Sequence, residues 1–319
     1  MYLLEDMTIV RHTGWRETPR RWGAQGASTG PASRSIEHTD PEFPALARGV
    51  EHLPTRLWIR GSVLPEDALA VAIVGSRRAT PQGLAVAERL AGDLAVRGVT
   101  IVSGLARGID TAAHRGALDA GGRTLAVLGS GVDRIYPPEN RMLAARIAEH
   151  GAVLSQFALG MPALAHHFPV RNRLLAALAL GVVVVEAAKA SGSLITAGHA
   201  ADLGREVMAV PGPAGSPSSR GAHGLIRDGA ALVEDWEDVV AVLPERWRAG
   251  VVMTEASMSP GNAADPILAL IGVEPASIEE LIERSGSSAS HVAARLLALE
   301  LDGRVRQLPG KRFVRVPRG

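Results

Sequence analysis

Residues 71–114 read VAIVGSRRATPQGLAVAERLAGDLAVRGVTIVSGLARGIDTAAH. The apolar run Val71–Val74 stops at Gly75-Ser76-Arg77-Arg78. From Gln82 to Val96 a helical period puts Leu84, Ala87, Leu90, Ala91 and Leu94 on one face. Gly98 closes that helix, and Thr100-Ile101-Val102 opens a second apolar strand. Strand, helix and strand in this order imply parallel strands buried on both faces. Each strand ends in a loop carrying glycine and arginine: Gly75 with Arg77 and Arg78, then Ser103-Gly104 with Arg107. In open parallel sheets, loops at the carboxyl ends of the strands bind ligands. Glycine lets a phosphate reach backbone N–H groups, and the next helix N-terminus favours negative charge.

The same alternation continues outward. Strands are predicted at 71–74, 99–102, 124–128, 152–154, 182–185, 206–210 and 231–233. Helices are predicted at 82–97, 110–120, 138–149, 171–179, 194–204, 221–228 and 235–243. This pattern predicts an α/β fold, an extended Rossmann-like doubly wound sheet. Right-handed crossovers place the loops 75–81, 103–109, 129–137, 186–193 and 211–220 on one edge. Residues 1–39 are expected to be an irregular N-terminal segment, because Gly23–Ser35 (GAQGASTGPASRS) has linker composition. The Rossmann-like domain is placed at 40–243, with a lead-in strand over Thr55–Arg60, and a linker follows at 244–263. Residues 264–319 carry three helical patterns and two short strands, as in a small winged-helix-like domain.

Composition narrows the function. The 319 residues are 46% hydrophobic and net +1, so global charge does not announce a nucleic-acid binder. Charge distribution says more: Gly303–Gly319 holds six basic residues and no acidic one. The chain has no cysteine, which removes disulfides and thiolate chemistry. Leu174–Val185 is the longest apolar run and is too short for a bilayer, which takes roughly 20 residues. No signal-peptide core opens the chain, and a cytoplasmic protein without a membrane partner is expected. GxxxxGK[ST] is absent, so P-loop ATP hydrolysis is excluded by motif. Gly129-Ser130-Gly131 lacks the third glycine of the dinucleotide fingerprint, and no acidic ribose partner ends the second strand. No cofactor, no metal and no catalytic residue is therefore assigned.

Further anion-binding residues follow. Phe168-Pro-Val-Arg171-Asn172-Arg173 puts two arginines and an asparagine at a predicted helix start, with Phe168 placed to stack on a base. Lys189 and Ser191-Gly192-Ser193 precede another helix, where small hydroxyl residues form phosphate nests. Glu186 ends a buried strand, and no histidine or second carboxylate is placed near it by sequence. Histidines 166, 167, 199 and 223 show no metal spacing.

In combination these residues resemble the DNA-processing protein A family (DprA, also called Smf). The motifs that carry the likeness are VAIVGSRRATPQG, VSGLARGIDTAAHRGAL, AVLGSGVDRIYPPENR, FPVRNRLLAALA, EAAKASGSLITAGHAADLGREVMAVPG and SRGAHGLIRDGAALV. The resemblance implies an extended Rossmann fold that binds single-stranded DNA and loads the recombinase RecA during natural transformation. It also implies a homodimer, here expected through Leu225, Ile226 and Leu232. The first 40 residues are too short and irregular for the helical N-terminal domain that many members carry. Gly198-His199 in SLITAGHAA stands where many members have an arginine in the helix. The PGGxGT loop of nucleotide-processing relatives is missing, which favours binding over a hydrolase that would use Glu186.

Overall fold

A computed structural model describes residues 31–252, 266–271, 275–285, 287, 289–301, 304–308, 310 and 312–315. Its strands and helices run β1 (Arg34–Glu37), β2 (Arg56–Gly61), β3 (Ala70–Val74), α1 (Pro81–Ala95), β4 (Thr100–Ser103), α2 (Ile109–Asp119), β5 (Thr124–Val127), α3 (Arg141–His150) and β6 (Ala152–Ser155). They continue with α4 (His167–Ala177), β7 (Gly181–Val184), α5 (Gly192–Asp202), β8 (Glu206–Ala209), α6 (Arg220–Arg227), β9 (Ala231–Leu232), α7 (Trp236–Val242) and α8 (Glu245–Arg248). The C-terminal part holds α9 (Pro266–Leu270), β10 (Ala276–Ser277), α10 (Ile278–Ser285), α11 (Ala289–Leu301), β11 (Val305–Leu308) and β12 (Arg312–Arg315).

Nine strands form one sheet in the order β1-β2-β6-β5-β4-β3-β7-β8-β9. From β6 to β9 all neighbours are parallel, while β1 and β2 add an antiparallel edge. Every residue of β3 is buried, as a central parallel strand requires. Its side chains alternate between two cores. Ala70, Ala72 and Val74 join Leu174, Leu175 and Ala197 of α4 and α5 on one face. Val71 and Ile73 join Leu90, Leu94, Ile109 and Ala113 of α1 and α2 on the other. The α1 start is sharp because Thr80 caps it, accepting from Gly83 N at 3.0 Å, with Pro81 in the first position. Strand order reverses at β3, so the switch point lies between β3 and β7.

Three boundaries differ from the sequence reading. Residues Arg34–Glu37, assigned to the irregular 1–39 segment, pair with β2 and extend the sheet. Burial decides this: Ile36 joins the buried core that also holds Phe43 and Leu57, and that outweighs the weak local period. Residues 1–30 lie outside the described residues. The linker placed at 244–263 begins instead as α8, and Val251 is buried against the α1 core with Trp247 beside it. Its residues 253–263 lie outside the described ones. Helix α4 starts at His167 rather than 171, so Arg171 and Asn172 sit within it and not at its cap.

The C-terminal helices enclose their own core of Ile267, Leu268, Leu281, Val292, Leu296, Val305 and Phe313. The expected two-stranded ribbon gains a third strand, β10, paired with β12. Ser277 and Glu280 exchange hydrogen bonds in a capping box that starts α10. Because that core shares no residue with the cores of the large sheet, deleting Ala264–Gly319 is expected to leave a folded remainder. Its thermal transition should stay cooperative and within a few degrees of the full chain, roughly; a molten remainder would contradict this.

Candidate functional site

The crest of the sheet carries a cavity of about 400 Å³ at the switch point. Its walls come from the β3 loop (Gly75, Ser76, Arg77, Arg78), α4 (Arg171, Asn172) and the start of α5 (Ser191, Gly192, Ser193). Ser191 caps α5, accepting from Ser193 N at 3.3 Å, so the 11-residue helix points its positive end into the cavity. Arg77 and Arg78 are exposed beside it. A second cavity of about 230 Å³ adjoins, sharing Arg77 and Arg78 and adding Gly104, Arg107, Gly129, Ser130, Tyr136, Pro137 and Phe168. The Arg77 guanidinium lies 5.0 Å from the Phe168 ring centre, and Tyr136 is tilted against the same ring at 6.0 Å. Arginine, phenylalanine and a half-exposed tyrosine make a surface able to take a flat aromatic group beside a phosphate.

The crest loops are locked backbone to backbone. Gly108 has φ +75° and sits against the Ser76 carbonyl, where a Cβ would collide. Ile109 N donates to that carbonyl at 3.2 Å. Leu105, fully buried, also adopts φ +57°, a strained conformation for a non-glycine residue that the packed loop holds in place. Ser76 Oγ accepts from Arg78 N at 3.1 Å and turns the first loop outward.

Several predicted contacts take other duties. Arg171 is 4% exposed. Its Nη1 donates to Gly104 O at 2.7 Å and to Val127 O, and its Nε donates to Asn172 Oδ1 at 3.1 Å. A Cβ on Gly104 would strike that guanidinium. Arg171 therefore ties three elements together beneath the cavity and presents little of itself to a ligand. Asn172 donates to Gly192 O at 3.2 Å and so fixes the start of α5. Arg173 turns away: its guanidinium reaches Glu51 O at 3.4 Å and lines neither cavity. Ser103 is fully buried and donates to Ile73 O at 2.7 Å, joining β4 to β3 rather than facing a ligand. Arg107 lines the aromatic cavity but pairs with Glu139. Lys189 faces a different cavity, lined also by Arg220, His223 and Arg227. The fifth loop, 211–220, contributes to that third cavity through Arg220 and not to the crest. The helical period explains Arg173, since adjacent residues point about 100° apart and only 171, 172 and 175 reach the cavity.

Sequence reasoning missed Tyr136, Asp110 and Thr196. The pattern Tyr136-Pro137 in a loop after the third strand was the available signal for the first. Asp110 gives no sequence signal, because only folding carries it under the crest. Burial raises its pKa, opposed by Arg171, by the Ala106 N–H and by Arg77. Burial likewise pushes Arg171 down to about 10, opposed by Asp110. Glu186 is 6% exposed, and its Oε2 accepts from Thr80 N at 2.9 Å at the start of α1. It lines neither crest cavity.

One residue beneath the site sets a pH dependence. His114 is fully buried in α2, with Nδ1 2.7 Å from Thr124 Oγ1, which itself donates to Ile101 O. The threonine proton is thus committed, and His114 must donate from Nδ1 as the neutral ring. Burial, with Arg171 adding, pushes its pKa down to about 3 from 6.5. The unfolded chain takes up this proton first, so stability is full above 6.5 and falls as pH drops toward 3. The loss should reach about 2 kcal/mol by about pH 5. His114→Asn, whose amide nitrogen takes the place of Nδ1 as donor to Thr124 and cannot protonate, is expected to show a shallower decline of Tm with acid. Equal declines would mean that His114 does not carry the effect.

A family model described as DNA recombination-mediator protein A matches residues 34–244, and one described as the DprA winged helix domain matches 253–311. The chain belongs to the DNA recombination-mediator protein A family. It is 40% identical to protein Smf of Escherichia coli over 287 residues, covering 88% of this chain and 76% of that protein. With DNA processing protein DprA of Streptococcus pneumoniae it shares 45% identity over 207 residues, covering 65% of this chain and 73% of that protein. The X-ray structure of the latter superposes with a TM-score of 0.62 at 42% identity, covering 66% of this chain and 74% of that one. DNA processing protein A from Helicobacter pylori, whose structure gives insights into its single-stranded DNA binding mode, superposes with a TM-score of 0.58 at 28% identity, covering 66% of this chain and 94% of that one. The DprA/Smf resemblance and the Rossmann-like fold with a C-terminal winged helix thus stand. Among the described residues no helix is long and apolar enough to cross a membrane.

Proposed function

We propose that this DprA/Smf family member binds single-stranded DNA non-specifically along its crest and delivers RecA recombinase onto the strand. One observation carries the reading: two exposed arginines and the start of α5 line one cavity that opens into an aromatic one. Phosphates suit the first and a base the second. Aromatic residues are 3% of the chain, so base stacking is sparse and little sequence preference is expected. Membership in a recombination-mediator family supports the delivery role.

We favour binding over catalysis. Glu186, the carboxylate a hydrolase would use, is occupied with Thr80 N. Among the described residues Asp110 is the acidic one lining the crest cavity, with no histidine or second carboxylate beside it. The test compares salt-dependent binding of single and double strands, together with turnover of nucleoside monophosphates. A steep salt slope and preference for the single strand are expected. Sustained release of free base would replace this reading with the hydrolase. Delivery is tested by filament growth of RecA on a coated strand, which the protein should accelerate.

Dimerisation is part of the proposal. Among the described residues β9 pairs with β8 alone and ends the sheet, and Leu232 there is 46% exposed. An uncovered edge with an exposed leucine is a liability that a symmetric partner would cover. Leu225 packs partly against its own core, and Ile226 is half-buried, so Leu232 is the stronger anchor of the three. Sedimentation of the wild type should give a dimer at micromolar concentration, and Leu232→Glu a folded monomer. A monomeric wild type would end the idea.

A further inference from the structure

The third cavity, about 290 Å³, is lined by Lys189, Arg220, His223 and Arg227. Among the described residues none of its three permanent cations forms an ion pair with a carboxylate. Asp228 follows Arg227 but does not line the cavity. Like charges held around one hollow repel, and a bound anion relieves that repulsion. His223 adds geometry: its Nε2 lies 3.0 Å from Gly212 O and 3.3 Å from Gly212 N, which fixes the ring between α6 and the loop after β8.

The position of this cavity identifies the anion. Ala188, Ala190 and Ser191 line the crest cavity, whereas Lys189, between them, lines the basic one. A single loop is therefore the common wall of both. Helix α6 is bound to that wall, because Gly221 N donates to Ala187 O at 2.8 Å. A Cβ on Gly221 would come within 2.7 Å of Ala188 O, so only glycine permits the approach. Among the described residues no phenylalanine, tyrosine or tryptophan lines the basic cavity, and the one ring there, His223, is engaged by Gly212, which suits phosphate better than a base.

We propose that the cavity of Lys189, Arg220, His223 and Arg227 is a second phosphate seat for the strand held at the crest. It takes the sugar-phosphate backbone one loop further on. The inference rests on the crest reading above and extends the contact to α6, whose Arg220 and Arg227 are exposed and free to meet a polyanion.

The test measures anisotropy of labelled oligothymidines of about 6 and about 30 nucleotides on the full chain, across a salt series. Arg220→Ala/Arg227→Ala should bind the short strand as the wild type does. For the long strand its log–log salt slope should fall by about 1.4, since each single-strand phosphate contact carries about 0.7. Arg220→Lys/Arg227→Lys should restore most of that slope. An unchanged long-strand slope would overturn the proposal, as would an equal loss on the short strand. A loss that follows a changed sedimentation coefficient, not the charge removed, would overturn it too. Arg77→Ala separates the two readings: it should weaken both strands, and no effect on the short one would sink the crest reading instead.

Discussion

Replacing Arg77 with alanine is expected to weaken single-strand binding by about 10- to 100-fold, the value of one charge-assisted hydrogen bond of about 1.5–3 kcal/mol. Arg77 is exposed, lines both crest cavities and lies over the Phe168 ring. Its removal deletes a phosphate contact and one face of the aromatic cavity together. The salt slope should fall by about 0.7, because one counterion-releasing contact is gone. Arg77→Lys keeps the charge and loses the planar stack, so an intermediate affinity with an almost unchanged slope is expected. Arg246→Ala is the control, since Arg246 lies on α8 near Trp247 and lines neither crest cavity. Equal losses at positions 77 and 246, measured by anisotropy at moderate salt, would mean diffuse charge binding with no crest site.

Replacing Arg171 with alanine should have a larger effect on stability than on any phosphate contact. The guanidinium is buried, satisfies the carbonyls of Gly104 and Val127, and offsets the buried Asp110. Without it the Gly104 and Val127 carbonyls lose a buried donor, at about 1–3 kcal/mol each, and Asp110 loses a nearby positive charge. Thermal unfolding should shift down by roughly 10 °C. Arg171→Lys should recover little, because one ammonium cannot reproduce the bonds to both carbonyls and to Asn172. The decisive comparison is the salt slope of the folded fraction. If Arg171 is a tie beneath the site, that slope stays near the wild-type value. A slope lower by about 0.7 with unchanged Tm would make it a phosphate ligand instead.

The two arginines show where sequence reading reaches its end. Both stand in glycine- or proline-marked segments, both are positively charged, and both were expected to hold phosphate. Charge and spacing cannot separate an exposed guanidinium from one folded under a loop. What separates them is the register of α4. The helix begins at His167 and turns Arg171 inward beneath Gly104 while carrying Arg173 toward Glu51. A helix that starts four residues earlier puts Arg171 and Asn172 in its second turn, past the exposed first-turn N–H groups, instead of at its cap.

Local sequence determined much of this protein. The strand-helix-strand order, the capping of α1 by Thr80-Pro81 and the apolar strands of the sheet follow from periodicity and turn chemistry within short windows. Gly75 and the arginines after it, and the serines at α5, could be placed on the carboxyl edge for the same reason. Tertiary structure alone decided the rest. It paired Arg34–Glu37 with β2, raised the switch point between β3 and β7, and carried Asp110 under the crest. It also divided Lys189 from Ala188 and Ala190, sending adjacent side chains into different cavities. Such outcomes depend on contacts between residues far apart in the chain, whose geometry no local window contains.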